Sequence, residues 1–496
     1  MDKQLYYDDL PWKDGLDSQA IRLLLKEEAG KDRHKIVVLD DDPTGVQTVH
    51  DVPVYTDWSR ESIRRGFLEQ GKMFFLLTNS RSFSEERTRQ VHREIGQGLA
   101  SVSQELGTGF VVVSRGDSTL RGHYPLETQV LKETLEACTG EEIHGEIICP
   151  FFSEGGRYTY GNVHYVKEGN RLIPVAMTEF AKDKTFGYRS SDLREYIEEK
   201  TKGTYKKENV ACISTGQLRA MDLDGVEQQL MSVAGFGKVV VNALTPLDLK
   251  VFCIALYRAM GRGKRFLFRT AAGFVKEFAA VEDRGLLTGR EVMGSGREVM
   301  GSGRTVMGSG RTVMGKCSGA GGLILVGSHT RKTTAQLEAL KEVPGIRLIE
   351  FDSDKVTDDA AMEEEINSVI KQEEAYISQG ITVAVYTRRR LLSVKGDTPE
   401  QALERSVRIS EAVQQLAGRL RTAPGFIVAK GGITSSDVGT KALHVKRAWV
   451  LGQIAPGVPV WRTGPESRFP GIPYIIFPGN VGGDTTLRDV VEKLMG

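Results

Sequence analysis

The sequence lacks most of the features that would commit a chain to a specialised class. No apolar run reaches the ~18 residues of a membrane span. The polar, acidic start MDKQLYYDDLPWKDG is unlike a secretory signal. Neither charge sign is in excess: 66 Lys and Arg face 65 Asp and Glu, a net charge of +1. No global field then draws in nucleic acid or an acidic membrane, and any bound anion must be held locally. The five cysteines, at 138, 149, 212, 253 and 317, form no CxxC pair. That argues against a zinc site or a disulfide framework, and for reduced thiols in a cytoplasmic protein. No histidine pair has HExxH spacing, so no protein-held metal is expected. Neither GxxxxGK[ST] nor GxGxxG occurs, which removes the P-loop and the standard dinucleotide fingerprint.

What is present is an alternation of short apolar runs with longer amphipathic ones. KIVVLD, MFFLLTN, GFVVVSR, GEIICPF, KVVVNAL and RFLFRT predict strands before residue 280. GLILVGS, IRLIEFD, TVAVYT, GFIVAKG and PYIIFPG do so after residue 320. Most are apolar throughout, as strands covered on both faces are. Val91, Ile95, Leu99, Val102 and Leu106 recur every three or four residues and predict a helix, as do Val413, Leu416 and Leu420. The alternation predicts an α/β fold with largely parallel sheets flanked by helices. At roughly 100–200 residues per domain, the chain makes two or three domains. One segment breaks the pattern. Residues 290–316 repeat every seven positions, with Arg290, Arg297, Arg304 and Arg311 in register. Two glycines per repeat cost a helix about 2 kcal/mol relative to alanine, which disfavours a coiled coil. The expected organisation is therefore a domain over 1–285, a flexible Gly-rich repeat linker over 286–320, and a domain over 321–496.

In open parallel sheets, ligands bind beyond the carboxyl ends of strands. Four such ends in the first domain are polar. They carry Asp40, Asp41, Asp42, Thr44 and Gly45; Asn79, Ser80 and Arg81; Arg115, Asp117, Ser118, Thr119 and Arg121; and Glu154, Gly155 and Arg157. Each alone could be a cap or a turn. Together, carboxylates beside arginines suit a polyhydroxylated, anionic small molecule. Arginine grips a carboxylate through two hydrogen bonds, and aspartate accepts from hydroxyls or acts as a base. Asp40, still within the strand, is the structural member of its triplet. His123 and His164 follow two of the clusters and are expected in structural roles. In the second domain, LILVGSHTRKTTAQL, FIVAKGGITSSDVGTKAL and YIIFPGNVGGDTTLRDVV each run from a strand through a turn of glycine and small hydroxyl residues into a helix. Such turns present backbone N–H groups to phosphates.

Seven stretches together resemble the four-carbon acid sugar kinase family, long catalogued as a domain of unknown function. They are LDDDPTG (39–45), TNSRS (78–82), SRGDSTLRGH (114–123), ICPFFSEGGRYTYGNVHYV (148–166), LVGSHTRKTTAQL (325–337), KGGITSSDV (430–438) and FPGNVGG (477–483). The resemblance implies a sugar-binding N-terminal domain and a nucleotide-binding C-terminal domain. It implies phosphorylation by ATP, with Mg²⁺, of the terminal hydroxyl of a four-carbon sugar acid such as threonate, erythronate or an oxo-tetronate. It implies ATP contacts at Ser328, Gly431, Gly432, Ile433, Thr434, Gly479 and Asn480. Ile433 stands where the family commonly has an acidic residue. The triplet has one aspartate beyond the usual two, which marks Asp41 and Asp42 as the functional pair. Thr44, Ser80, Arg81, Arg115, Ser118 and Arg121 are then expected to bind substrate, and Asp41, Asp42 or Asp117 to take the hydroxyl proton. The expected partners are the sugar acid and ATP, with no nucleic acid and no membrane, in a cytoplasmic homodimer. A sugar-acid sensor without catalysis and an NAD-dependent sugar-acid dehydrogenase are the alternatives.

Overall fold

The computed structural model describes residues 5–12, 15–42, 45–294, 319–390, 392, 398–479 and 481–496. Thr44, Asn480 and the repeat from residue 295 to 318 lie outside the described residues, as does the side chain of Ile433. The chain divides into two units, Met1–Asp283 and Arg284–Gly496.

The strands of the main sheet in the first unit are β1 (Lys35–Asp40), β2 (Val52–Tyr55), β3 (Met73–Leu77), β4 (Phe110–Arg115), β5 (Gly145–Cys149), β6 (Ala211–Ile213), β7 (Gly237–Val241) and β8 (Phe266–Thr270). Their order is β6-β7-β5-β8-β4-β1-β3-β2, and every pairing is parallel. Parallel neighbours need crossover connections, and helices supply them. The helix Glu85–Leu106 is one. Ser84 caps it by accepting from the Arg87 N–H, and two glutamates open its first turn. Its periodic residues Val91, Ile95, Leu99 and Val102 are fully buried, in one cluster with Val37, Leu39, Phe74 and Leu76. Each side chain buried this way stabilises the fold by roughly 1.5–3 kcal/mol.

A second, antiparallel sheet in this unit is made of Arg157–Tyr160, Val163–Glu168, Arg171–Pro174 and Leu5–Tyr6. Burial alternates along Val163–Glu168, the mark of a sheet with one wet face.

The second unit has β9 (Leu323–Val326), β10 (Ile346–Phe351), β11 (Thr382–Thr387), β12 (Ile427–Lys430), β13 (Arg447–Ala455), β14 (Val458–Thr463) and β15 (Pro473–Phe477). Their order is β13-β14-β15-β12-β9-β11-β10. From β15 to β10 the pairings are parallel. β13, β14 and β15 are antiparallel to one another in turn. Both units are thus largely parallel sheets flanked by helices. Within the stretch 286–320, Gly289–Met293 form a short helix opened by a Thr288–Glu291 capping box. Leu287 and Val292 are buried in one cluster with Val490 and Leu494. Among the described residues, no helix is long and apolar enough to cross a membrane.

Candidate functional site

Strand register brings three polar strand ends together. Asp40 lies opposite Leu77 of β3 and Arg115 of β4, so residues 40–42, 78–81 and 115–121 share one end of the sheet. Asp40 is 1% exposed and Arg115 6%. Arg115 Nη1 donates to Asp40 Oδ1 at 3.0 Å and lies 3.8 Å from Asp41 Oδ1. Burial pushes the Asp40 carboxyl up to about 7, opposed by Arg115 and reinforced by Asp41. Asp41 is buried too, and neither carboxylate oxygen has a hydrogen-bond partner among the described residues. Burial raises its pKa against the pull of Arg81, Arg115 and Arg269. Asp42 is partly buried and salt-bridged to Arg81, whose Nη1 is 3.7 Å from Asp117 Oδ1. Three adjacent aspartates are tolerated because Asp40 and Asp42 face different guanidiniums.

Asp117 sits in the loop after β4. Burial alone would raise its carboxyl. The Arg121 and Arg81 charges, with hydrogen bonds from Thr119 and Arg121, outweigh that and hold it at about 2. Arg121 Nε donates to Asp117 Oδ2 at 2.7 Å. Ser118 is buried, and its carbonyl accepts from His164 Nε2 at 2.8 Å. The Thr159 hydroxyl donates to His164 Nδ1 at 2.9 Å. Burial takes His164 down to about 4, so it is a neutral brace for the loop. His123 Nε2 donates to the Phe83 carbonyl at 2.9 Å.

Beneath this loop lies a buried ion pair. Arg269 of β8 donates to Glu127 Oε2 at 2.6 Å. The Ser80 hydroxyl donates to the other oxygen of Glu127 at 2.7 Å. Ser80, expected to contact substrate, thus spends its hydroxyl on the protein. Arg269 Nη2 also donates to the Arg121 carbonyl at 3.1 Å, which ties the loop to the sheet. Gly122 lets it do so: its φ is +123°, and a Cβ there would lie 2.6 Å from Arg269 Nη2. The one sequence signal for this pair is an arginine inside the otherwise apolar strand FLFRT. Nothing local marks Glu127.

In the second unit the turns after β9, β12 and β15 converge. Gly431 has φ +128°, and a Cβ on it would come within 3.2 Å of both Ser328 Cβ and Thr434 Oγ1. Ser328, Gly431, Gly432 and Thr434 line one cavity of about 300 Å³, walled on its apolar side by Leu392, Ile409 and Val413. The Gly479 carbonyl accepts from Thr333 Oγ1 at 3.3 Å. Lys430, which no sequence pattern singles out, is fully buried at the end of β12. Its Nζ donates to the carbonyls of Pro478 at 2.7 Å and Gly479 at 3.2 Å. Burial, with the Lys332 charge, lowers it to about 7. Among the described residues, no three His, Cys, Asp or Glu are grouped to hold a metal ion.

A family profile for a sugar-binding N-terminal domain matches residues 36–278, and one for a nucleotide-binding C-terminal domain matches residues 323–487. No curated protein sequence matches the chain. Among solved structures, a Salmonella typhimurium LT2 protein described as a candidate tRNA synthase aligns with a TM-score of 0.63 at 16% identity, over 92% of this chain and 98% of that one. A Haemophilus influenzae protein of the DUF1537 family aligns with a TM-score of 0.57 at 17% identity, over 93% of this chain and 100% of that one. At such identities the likeness is one of fold, and it runs through both units. The profile matches carry the assignment: the chain belongs to the family that joins a sugar-binding N-terminal domain to a nucleotide-binding C-terminal domain, the architecture of the four-carbon acid sugar kinases.

Proposed function

We propose that the protein is an ATP-dependent, cytoplasmic kinase that phosphorylates the terminal hydroxyl of a four-carbon sugar acid. The observation that carries this is Asp41, a buried carboxylate whose oxygens make no hydrogen bond among the described residues, at the strand ends of a sugar-binding domain and among guanidiniums. Of the three aspartates expected to act as base, Asp117 is held at about 2 by its arginines and is a weak acceptor. Asp42 is engaged by Arg81. Of the three, Asp41 combines a raised pKa with oxygens that make no hydrogen bond among the described residues. It takes the hydroxyl proton. Asp42, Asp117, Arg81, Arg115 and Arg121 surround the acid with charge, and Thr44 and Ser118 complete its contacts. Phosphoryl transfer depends mainly on positioning and charge neutralisation, which this constellation suits. ATP is held by Ser328, Gly431, Gly432, Ile433, Thr434, Gly479 and Asn480, with turn N–H groups toward the phosphates, and Mg²⁺ accompanies the nucleotide.

The test is ADP release with D- and L-threonate, D- and L-erythronate and their oxo derivatives, alongside calorimetric binding of each. Release with one of these acids supports the kinase. Binding of an acid without release under any condition favours a sensor, and tight nicotinamide-cofactor binding favours a dehydrogenase.

Lys430 gives nucleotide binding a pH signature. Its pKa of about 7 is well below the ordinary 10.5, so above pH 7 the amine is largely neutral. A polyphosphate bound nearby favours the charged form and raises the pKa. ATP binding at about pH 8 is therefore expected to take up a proton. Calorimetric enthalpies should then vary with the ionisation enthalpy of the buffer, and Lys430→Met should remove the dependence.

A further inference from the structure

Four guanidiniums at the strand ends of the first unit are matched to carboxylates. Arg115 pairs with Asp40, Arg81 with Asp42, Arg121 with Asp117 and Arg269 with Glu127. Arg157 is different. It begins the antiparallel strand Arg157–Tyr160, just beyond β5, and it forms no salt bridge among the described residues. Its Nη1 donates to the Gly155 carbonyl, and its Nε is buried without a hydrogen-bond partner. It is not remote from the cluster. The Phe180 ring lies 5.0 Å from the Arg121 guanidinium and 5.9 Å from that of Arg157, so both guanidiniums lie against one aromatic ring. The charges of Asp117 and Arg121 act on Arg157 in opposite senses. A largely buried guanidinium with no counter-charge is costly unless a ligand anion supplies one. Arginine is suited to a carboxylate because its planar fork donates two parallel hydrogen bonds.

We propose that Arg157 receives the carboxylate of the sugar acid and so makes the site select an acid over a neutral sugar. This rests on the kinase reading for the identity of the ligand. Arg81, Arg115 and Arg121 are already committed to Asp42, Asp40 and Asp117, and Arg157 brings the charge that those pairs do not offer.

The test compares the accepted acid with its neutral amide, which keeps every hydroxyl and replaces one charged carboxylate oxygen with an uncharged NH₂ donor. Affinities are measured by calorimetry in the wild type, Arg157→Met and Arg157→Lys, with thermal melts to confirm folding. The wild type is expected to prefer the acid by about 10–100-fold, the strength of a charge-assisted hydrogen-bonded pair. In Arg157→Met that preference should collapse toward unity, and in Arg157→Lys it should return in part. A loop distortion without charge recognition would weaken acid and amide alike and keep the ratio, which would overturn the proposal. So would an unchanged acid affinity in folded Arg157→Met. Acid binding that depends on Arg157 in a protein that never releases ADP would uphold the carboxylate site while overturning the kinase.

Discussion

Asp41→Asn is expected to lower turnover by about 10²–10⁴-fold, the usual contribution of a general base, while the protein stays folded. The substitution is nearly isosteric. It breaks no hydrogen bond among the described residues, because neither oxygen of Asp41 makes one. It also removes a negative charge that burial disfavours, so the melting temperature should hold or rise. That separates Asp41 from Asp117, whose carboxylate binds Arg121 and Thr119. Asp117→Asn should loosen the loop and move KM and stability together. A folded Asp41→Asn protein that keeps turnover within about threefold of wild type, far inside the range for a lost base, would place the base elsewhere.

The pH dependence follows with its sign. Asp41 must be ionised to accept a proton, and its pKa is raised, so activity is lost as pH falls, earlier than for an ordinary carboxylate. Its neighbour Asp40 stands at about 7, and two adjacent carboxylates titrate as a pair. The acid limb of kcat/KM is therefore expected at higher pH than an ordinary carboxylate would give. In Asp41→Asn the charge that helps raise Asp40 is gone, and any residual limb should move to lower pH.

The second large effect is on stability. Arg269→Met is expected to cost about 3–5 kcal/mol, because it leaves a buried carboxylate without its counter-charge. Glu127 is 2% exposed and would keep, among the described residues, the Ser80 hydroxyl and the more distant His92 and His123. Pairing the change with Glu127→Gln should recover much of the loss, since the stranded charge goes with it. Urea denaturation at about pH 5 and pH 8 checks the cause. In the wild type, burial raises Glu127 but Arg269 and its other partners hold it below the ordinary value, so its contribution is present above the unfolded pKa and is lost as pH falls. In Arg269→Met the Glu127 pKa should rise above its unfolded value. The variant should then gain stability as pH falls from about 8 to about 5, a range in which the wild-type Glu127 contribution is constant. A loss that is the same at both pH values would mean that packing, not charge, is what Arg269 supplies.

Strands were legible where the apolar run is continuous; Val52–Tyr55 and Val458–Thr463, each interrupted by a proline, are as buried and were not. KIVVLD reads as a strand because both of its faces are covered: Ile36, Val37 and Val38 are fully buried. The same holds for Met73–Leu77, Gly145–Cys149, Leu323–Val326, Ile427–Lys430 and Pro473–Phe477. Some strands that are half exposed, interrupted or short were hidden, although Ile346–Phe351, exposed along much of its length, was found. Arg447–Ala455 alternates, but Gly452 and two register shifts interrupt its pattern. Ala211–Ile213 is only three residues long. The polar strand ends were visible because each cluster is local in sequence. Their pairings were not, because register decides them. Whether Arg115 faces Asp40 or a ligand depends on β1 lying beside β4. Ser80 looked like a ligand contact because a hydroxyl at a strand end reads the same whether it faces outward or donates to Glu127. The Glu127–Arg269 pair joins residues 142 positions apart, and Lys430 looks in sequence like any other lysine beside glycines.

Transfer of a phosphoryl group from ATP to the terminal oxygen of a four-carbon acid would leave a product with its own phosphorus signal. The most direct measurement is ³¹P NMR of the wild-type protein with ATP, Mg²⁺ and each acid in turn. If the protein is this kinase, then with one acid the γ-phosphate signal falls while a phosphomonoester signal grows in step, split by the two protons of a terminal CH₂, and with Asp41→Asn both changes slow by about 10²–10⁴-fold. An unchanged γ-phosphate with every acid, or inorganic phosphate as the sole product, would contradict it.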